Sequence, residues 1–257
     1  MELRSKELYG DFYENGNKPL VVVIGGSKAG IPTISDMLLE YLELNYNVLL
    51  LAYFGVDDLP KTLERVPVEY FINAVSYFKN KLRLPDNKII LIGVSKGGEL
   101  LLYLTKYIQS AITVACVPSC YVFQGLPVTF FNMLFPKSSW SLNDKDVPYI
   151  KFSFKKSIMK DVRNKTYTSC YENSIEKHFK KDAVINVDNY EGKILLLSAE
   201  IDKYWPSKKM CDRLVENSKN KNIKHIVLNL EGHYYLEYEQ SGKEIINYLE
   251  LNEPSLT

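Results

Sequence analysis

Residues Lys88–Glu99 read KIILIGVSKGGE, and the fold turns on how this stretch is understood. Ile89, Ile90, Leu91 and Ile92 form an unbroken apolar run closed by Gly93, which suits a parallel strand covered on both faces, where polar alternation is not needed. Gly93-Val94-Ser95-Lys96-Gly97 then matches G-x-S-x-G, the nucleophile elbow, in which small neighbours let a serine occupy a strained strand-to-helix turn. The apolar residues Leu100, Leu101, Leu102 and Leu104 provide the helix that must follow. Ser95 is thereby expected above the sheet, its hydroxyl at a helix N-terminus whose free N–H groups can meet developing negative charge. The plainer reading is a glycine-rich connection with an incidental serine. The flanking strand and helix favour the elbow.

Working outward, 257 residues allow one large α/β domain or two small ones, and 46% hydrophobic content is enough for a sizeable core. Lys+Arg 32 against Asp+Glu 31 leaves a formal charge of +1, so no global field recommends nucleic acid or an anionic membrane as partner. The charged start MELRSKELYG lacks the apolar core of a signal peptide, and no apolar run approaches the ~18 residues of a membrane span. A cytoplasmic protein is expected. Cys116, Cys120, Cys170 and Cys211 form no C-x-x-C pair and accompany only three histidines, which argues against a zinc site and a disulfide scaffold. Reduced, buried thiols are expected, with no metal and no cofactor.

The chain before the elbow supplies an edge strand over Leu8–Tyr13, a β-branched strand from Pro19 to Ile24, a helix from Pro32 or Thr33 to Leu44, a strand over Asn47–Tyr53 and a helix from about Leu63 to Lys81. The turn Gly25-Gly26-Ser27-Lys28-Ala29-Gly30 raises phosphate binding, but Gly30 is followed by Ile31-Pro32 rather than Lys-Ser/Thr, and the spacing is not G-x-G-x-x-G. Its other use is to aim a backbone N–H at an oxyanion above the sheet. Ser27 is the expected donor, completing a hole whose first donor is the N–H of Lys96. Ala111–Val117 is a further buried strand, so the alternation predicts a mainly parallel central sheet flanked by helices on both faces.

From Tyr121 to about Tyr190 the rhythm breaks. Phe123, Phe130, Phe131, Phe135, Trp140, Tyr149, Phe152 and Phe154 sit among many lysines, without a clean period until a helix over Tyr171–Lys181. An insertion with exposed-looking aromatics is what a cap over an active site needs; an irregular packed loop is the alternative. Its cations Lys151, Lys155, Lys156, Lys160, Arg163 and Lys165 read as a solvated face, and as the place to seek partners for any substrate phosphates. The buried-strand pattern returns at Gly192–Ser198. Helices from Ser207 to about Ser218 and Gly242 to Leu251 bracket a last strand, Lys224–Leu230.

A serine hydroxyl needs an imidazole base, and the imidazole needs a carboxylate to fix its tautomer. In the α/β-hydrolase fold the order is Ser, acid, His, with the acid after the strand that follows the cap and the histidine after the last strand. Asp202 and His233 occupy those positions. Glu200 and Asp188 are the rival acids, and Asp188 precedes its strand. His225 opens the last strand at the far end of the sheet, most simply as a surface residue, while His178 lies in a lysine-rich helix.

Together, Ala52-Tyr53-Phe54, Asp58-Leu59-Pro60-Lys61-Thr62-Leu63-Glu64, Glu69-Tyr70-Phe71, Gly93-Val94-Ser95-Lys96-Gly97-Gly98-Glu99, Asp202 with Trp205, and Gly232-His233-Tyr234 resemble the catalytic domain of the acyl-CoA thioesterase and bile acid-CoA:amino acid N-acyltransferase family. The resemblance runs from about Pro19 to the last helix. It implies a triad of Ser95, Asp202 and His233 and an acyl-CoA or ester substrate. In that family the nucleophile is Ser in thioesterases and Cys in the N-acyltransferase, so Ser95 implies thioester hydrolysis through an acyl-enzyme. The larger members carry a β-sandwich domain before the hydrolase domain. A single hydrolase domain over residues 1–257, with a cap-like insertion at about 121–190, is expected instead. The competing expectations are a carboxylesterase of the dienelactone-hydrolase kind, an acyltransferase, and a non-catalytic binding module on the same scaffold.

Overall fold

The computed structural model describes residues 1–126, 130–153 and 163–252. Eight strands form one sheet in the order β1-β2-β4-β3-β6-β7-β10-β11: β1 Glu2–Arg4, β2 Tyr9–Tyr13, β3 Leu20–Ile24, β4 Asn47–Leu51, β6 Ile89–Val94, β7 Ile112–Cys116, β10 Lys193–Ile201 and β11 Ile223–Glu231. Only the first two pairings, β1 with β2 and β2 with β4, are antiparallel. The other five are parallel. The β1 hairpin arm is an addition to the expected strands. Its sequence, Glu-Leu-Arg, carries too little apolar content to signal a strand, and main-chain pairing at the sheet edge holds it.

The inner strands are apolar throughout because both faces are covered. Along β3, Leu20, Val22 and Ile24 join one core and Val21 and Val23 the other; β6 and β10 split their residues in the same alternation. On one face pack α2 (Val68–Lys81), α3 (Lys96–Leu104) and α6 (Ser207–Asn217). The opposite face carries α1 (Asp36–Asn45) and α7 (Glu239–Asn252), through Leu38, Leu42, Ile245 and Leu249. Each such side chain, fully buried, contributes about 1.5–3 kcal/mol, so the sandwich fixes the sheet firmly enough to carry strain at its rim. Helix α1 starts later than Pro32 because Ser35 caps it, its Oγ accepting from the N–H of Leu38.

The insertion differs from its sequence reading in one respect. Phe123, Trp140 and Tyr149 are buried in the main core, whereas Phe131 and Phe135 are more than half exposed. Trp140 starts β8 (Trp140–Leu142), which with β5 (Val66–Pro67) and β9 (Lys145–Asp146) makes a second sheet of three short strands. The insertion also holds α4 (Phe130–Leu134) and α5 (Thr168–His178), the latter three residues earlier than its apolar period indicated. Phe154, Lys155, Lys156 and Lys160 lie outside the described residues. Lys151, Arg163 and Lys165 are exposed.

Candidate active site

Strand β6 delivers Ser95 into a backbone conformation of φ 55°, ψ −118°, a region that L-residues rarely enter and that costs about 1–3 kcal/mol. Surrounding packing holds it there. The Ser95 N–H donates to the Cys116 carbonyl at 2.8 Å, and the Ser95 carbonyl accepts from Glu99 N–H at 2.9 Å. Glycine is required at 93 and 97 by close approach: a Cβ at 93 would lie 2.8 Å from the Gly97 carbonyl, and one at 97 would lie 2.3 Å from the Gly25 carbonyl. The elbow and the first glycine turn therefore touch backbone to backbone.

The structure brings Ser95, His233 and Asp202 together at the C-terminal ends of β6, β11 and β10. Ser95 Oγ lies 2.7 Å from His233 Nε2. His233 Nδ1 lies 3.1 and 3.0 Å from the two carboxylate oxygens of Asp202. A carboxylate only accepts, so Nδ1 carries the proton and Nε2 is left to accept from the serine hydroxyl. The Asp202 side chain is 2% exposed and the imidazole 9%, which keeps both bonds out of water. Asp202 Oδ1 also accepts from the Tyr204 N–H at 2.9 Å, and the insertion grips the same loop: Thr168 Oγ1 donates to the Asp202 carbonyl at 2.8 Å and Tyr167 N–H to the Lys203 carbonyl at 2.7 Å.

The rival groups are accounted for. Glu200 pairs with Lys208 on the surface. Asp188, held below the usual carboxylate range by the Lys219 N–H and the Ser218 hydroxyl, caps a turn far along the sequence from the His233 loop. His225 is not the surface residue its position suggested: it is half-buried, 2.7 Å from Ser198 Oγ through Nε2 and 3.1 Å from Asp212 through Nδ1.

Ser95 and His233 open into a cavity of about 270 Å³ whose far wall is the turn Gly25–Lys28, with Ile31, Pro32, Val94 and Leu236 as apolar lining. A Cβ at Gly26 would lie 3.0 Å from the Ser95 Cβ, so a side chain there would crowd Ser95. Ser27 lines the same cavity; Lys96 N–H is the first free amide of α3, next to the Ser95 hydroxyl in the chain.

Other side chains gather around Ser95, His233 and Asp202, and Tyr204 is one that no motif in the sequence marks. Tyr204 stacks on the His233 ring at 4.9 Å between centroids, and Trp205 meets it edge-on at 5.6 Å. Beneath the elbow, Lys96 Nζ donates to both oxygens of Glu99 at 2.6 and 2.7 Å, and Trp140 Nε1 donates to Glu99 Oε1 at 2.9 Å. Both charged residues are fully buried; burial pushes the Glu99 carboxyl up and the Lys96 ammonium down, and their mutual attraction opposes both shifts. Lys96 and Glu99 belong to the S-K-G-G-E motif, which signalled their importance but not that a tryptophan from the insertion completes the group.

Comparison with known proteins adds the decisive observation: the family described as "BAAT / Acyl-CoA thioester hydrolase C terminal" matches residues 66–238. The chain belongs to this family. Among relatives, human acyl-coenzyme A thioesterase 6 is 26% identical over 194 residues, 76% of this chain and 42% of its own length. Rat mitochondrial acyl-coenzyme A thioesterase 2 is 36% identical over 104 residues, 40% of this chain and 22% of its own. Mouse acyl-coenzyme A amino acid N-acyltransferase 1 is 23% identical over 201 residues, 78% of this chain and 44% of its own. The chain spans about half or less of the length of the curated relatives it matches. Solved structures share its fold: an esterase of Pyrococcus furiosus (TM-score 0.61, 15% identity, covering 95% of this chain and 86% of that one) and a monoacylglycerol lipase of Paleococcus ferrophilus (0.58, 19%, 96% and 99%). The architecture is the α/β-hydrolase fold. No helix among the described residues is long and apolar enough to cross a membrane.

Proposed function

We propose that this chain is a serine hydrolase of acyl thioesters, with acyl-CoA as the substrate class, working through an acyl-enzyme. The observation that carries the reading is the 2.7 Å contact between Ser95 Oγ and His233 Nε2, made by a serine in strained backbone at the mouth of a cavity. Membership of the BAAT / acyl-CoA thioester hydrolase family supports a thioester as the bond cleaved, and serine rather than cysteine at 95 favours hydrolysis over transfer.

In the mechanism that follows, His233 Nε2 takes the hydroxyl proton as Ser95 Oγ bonds to the acyl carbon. Backbone N–H groups of Lys96 and Ser27 stabilise the oxyanion. The C–S bond then breaks, the sulfur takes the proton from His233, and the free thiol leaves. Water attacks the resulting ester, giving its proton to His233; the acid departs and Ser95 recovers the proton. Asp202 keeps the imidazole oriented and stabilises its cation.

Thiol release from an acyl-CoA series, measured beside matched oxygen esters, tests the reading. Wild-type protein should turn over the thioester, and Ser95→Ala should lose at least about 10⁴-fold in kcat with the fold intact. Unchanged turnover in that variant would remove the assignment. A preference for the oxygen ester would move the protein to the carboxylesterases, and acyl transfer to an added amine would move it to the acyltransferases.

A further inference from the structure

The glycine turn opposite Ser95 does not hold itself in place. Its two consecutive carbonyls, Gly25 and Gly26, both accept from one buried hydroxyl, that of Tyr53: the Gly25 contact is 3.2 Å and the Gly26 contact is closer. Tyr53 follows β4 and is 1% exposed, its ring packed against Phe54, Phe71 and Trp140 at 5.0–5.8 Å between centroids. Burial pushes its hydroxyl far above the ordinary tyrosine value, so it stays a proton donor at any working pH.

The peptide geometry turns this anchoring into a direction. Among the described residues every peptide bond is trans, so the N–H of Ser27 points opposite to the Gly26 carbonyl. With that carbonyl drawn toward Tyr53, the Ser27 N–H faces away from it. Ser27 lines the cavity that holds Ser95, and Tyr53 does not. We propose that Tyr53 is a positioning residue: its hydroxyl holds the Gly25–Gly26 carbonyls so that the Ser27 N–H is aimed at the oxyanion formed on the substrate. This rests on the serine-hydrolase reading above.

A second observation ties the same ring to the other half of the hole. Trp140, against which Tyr53 packs, donates to Glu99, and Glu99 clamps the side chain of Lys96, whose backbone N–H is the other donor. One buried layer thus backs both donors. Tyr53 is the member that bonds directly to the loop.

Tyr53→Phe removes only the hydroxyl. Because the donor it aims acts on the transition state rather than on bound substrate, kcat on an acyl-CoA or aryl ester should fall about ten- to a hundredfold while KM stays within about threefold. Labelling of Ser95 by a fluorophosphonate, whose phosphoryl oxygen also gains negative charge as the serine attacks and fluoride leaves, should slow as well. Placing para-aminophenylalanine at 53, which returns an N–H donor on the same ring, should restore most of kcat. Three results would overturn the proposal: unchanged kcat in a folded Tyr53→Phe protein, a rise in KM without loss of kcat, or a Tyr53→Phe protein that no longer melts cooperatively, which would assign the hydroxyl to folding instead. If Ser95→Ala is itself active, the underlying reading has failed; if Ser95→Ala is dead and Tyr53→Phe is not, only this inference has.

Discussion

Among the described residues, two relays of serine, histidine and aspartate have nearly the same spacing. In the first, Ser95 Oγ is 2.7 Å from His233, which is 3.0 Å from Asp202. In the second, Ser198 Oγ is 2.7 Å from His225, which is 3.1 Å from Asp212. Distances do not separate them. Their surroundings do: Ser198 sits inside β10 with ordinary strand backbone, wholly buried between β7 and β11, whereas Ser95 has φ 55° at the head of a helix and lines a cavity. The carboxylates differ too, the Asp212 side chain being 49% exposed against 2% for Asp202. A hydrogen-bonded relay orients an imidazole; it becomes a candidate for chemistry only where the backbone lifts the hydroxyl into a cavity beside free amides. In the second relay the same three groups fasten β11 and α6 to β10.

The largest expected contrast follows from this. Alanine at 95 or 233 should cost at least about 10⁴-fold in kcat, and alanine at 198 or 225 should leave kcat within about twofold, as measured on one acyl-CoA. Asp202→Asn should cost about 10³- to 10⁴-fold, because the amide favours the wrong imidazole tautomer, and Asp212→Asn should change kcat by less than about twofold. A fall in kcat at Ser198 comparable to that at Ser95 would erase the distinction.

Charge beneath the elbow sharpens the comparison further. Among the described residues, the first relay alone rests on a buried ion pair, Lys96 with Glu99, and removing one partner leaves the other unpaired in the core. Glu99→Gln should therefore lower unfolding free energy by about 3–5 kcal/mol in a urea titration, a loss with no counterpart at the second relay. The smallest effect is expected from His225. Burial holds its imidazole below the ordinary value of 6.5, with Asp212 acting in the opposite sense. The unfolded chain then binds the proton more readily, so stability from the neutral ring is complete above pH 6.5 and drains as pH falls through that value toward the folded one. His225→Gln should flatten the dependence of the urea midpoint over this range; an unaltered slope would show that His225 is not the titrating group.

Much of the first relay was legible because each of its parts leaves a local mark. The apolar run Ile89–Ile92, the glycines around Ser95 and the placement of Asp202 and His233 just past strand ends are all readable along the chain, and the structure brings those three side chains together. The second relay left no such mark. Ser198, Asp212 and His225 lie within ordinary elements, and only the pairing of β10 with β11 and the packing of α6 juxtapose them. Trp140 was hidden for a related reason: it sits in an aperiodic stretch, and its burial depends on a small sheet formed with β5, more than 70 residues earlier in the chain. Tyr53 could be seen as one residue of a motif, but its hydrogen bonds to Gly25 and Gly26 depend on two strand ends meeting in space.

The most direct test is to treat the folded protein with a fluorophosphonate and map the modified peptide by mass spectrometry. A single adduct on Ser95, absent from His233→Ala, with Ser198 unmodified, is the expected result. Modification of Ser198, or an intact protein in which Ser95 stays unlabelled, would contradict the claim that strained backbone and an open cavity, rather than the relay alone, make the reactive serine.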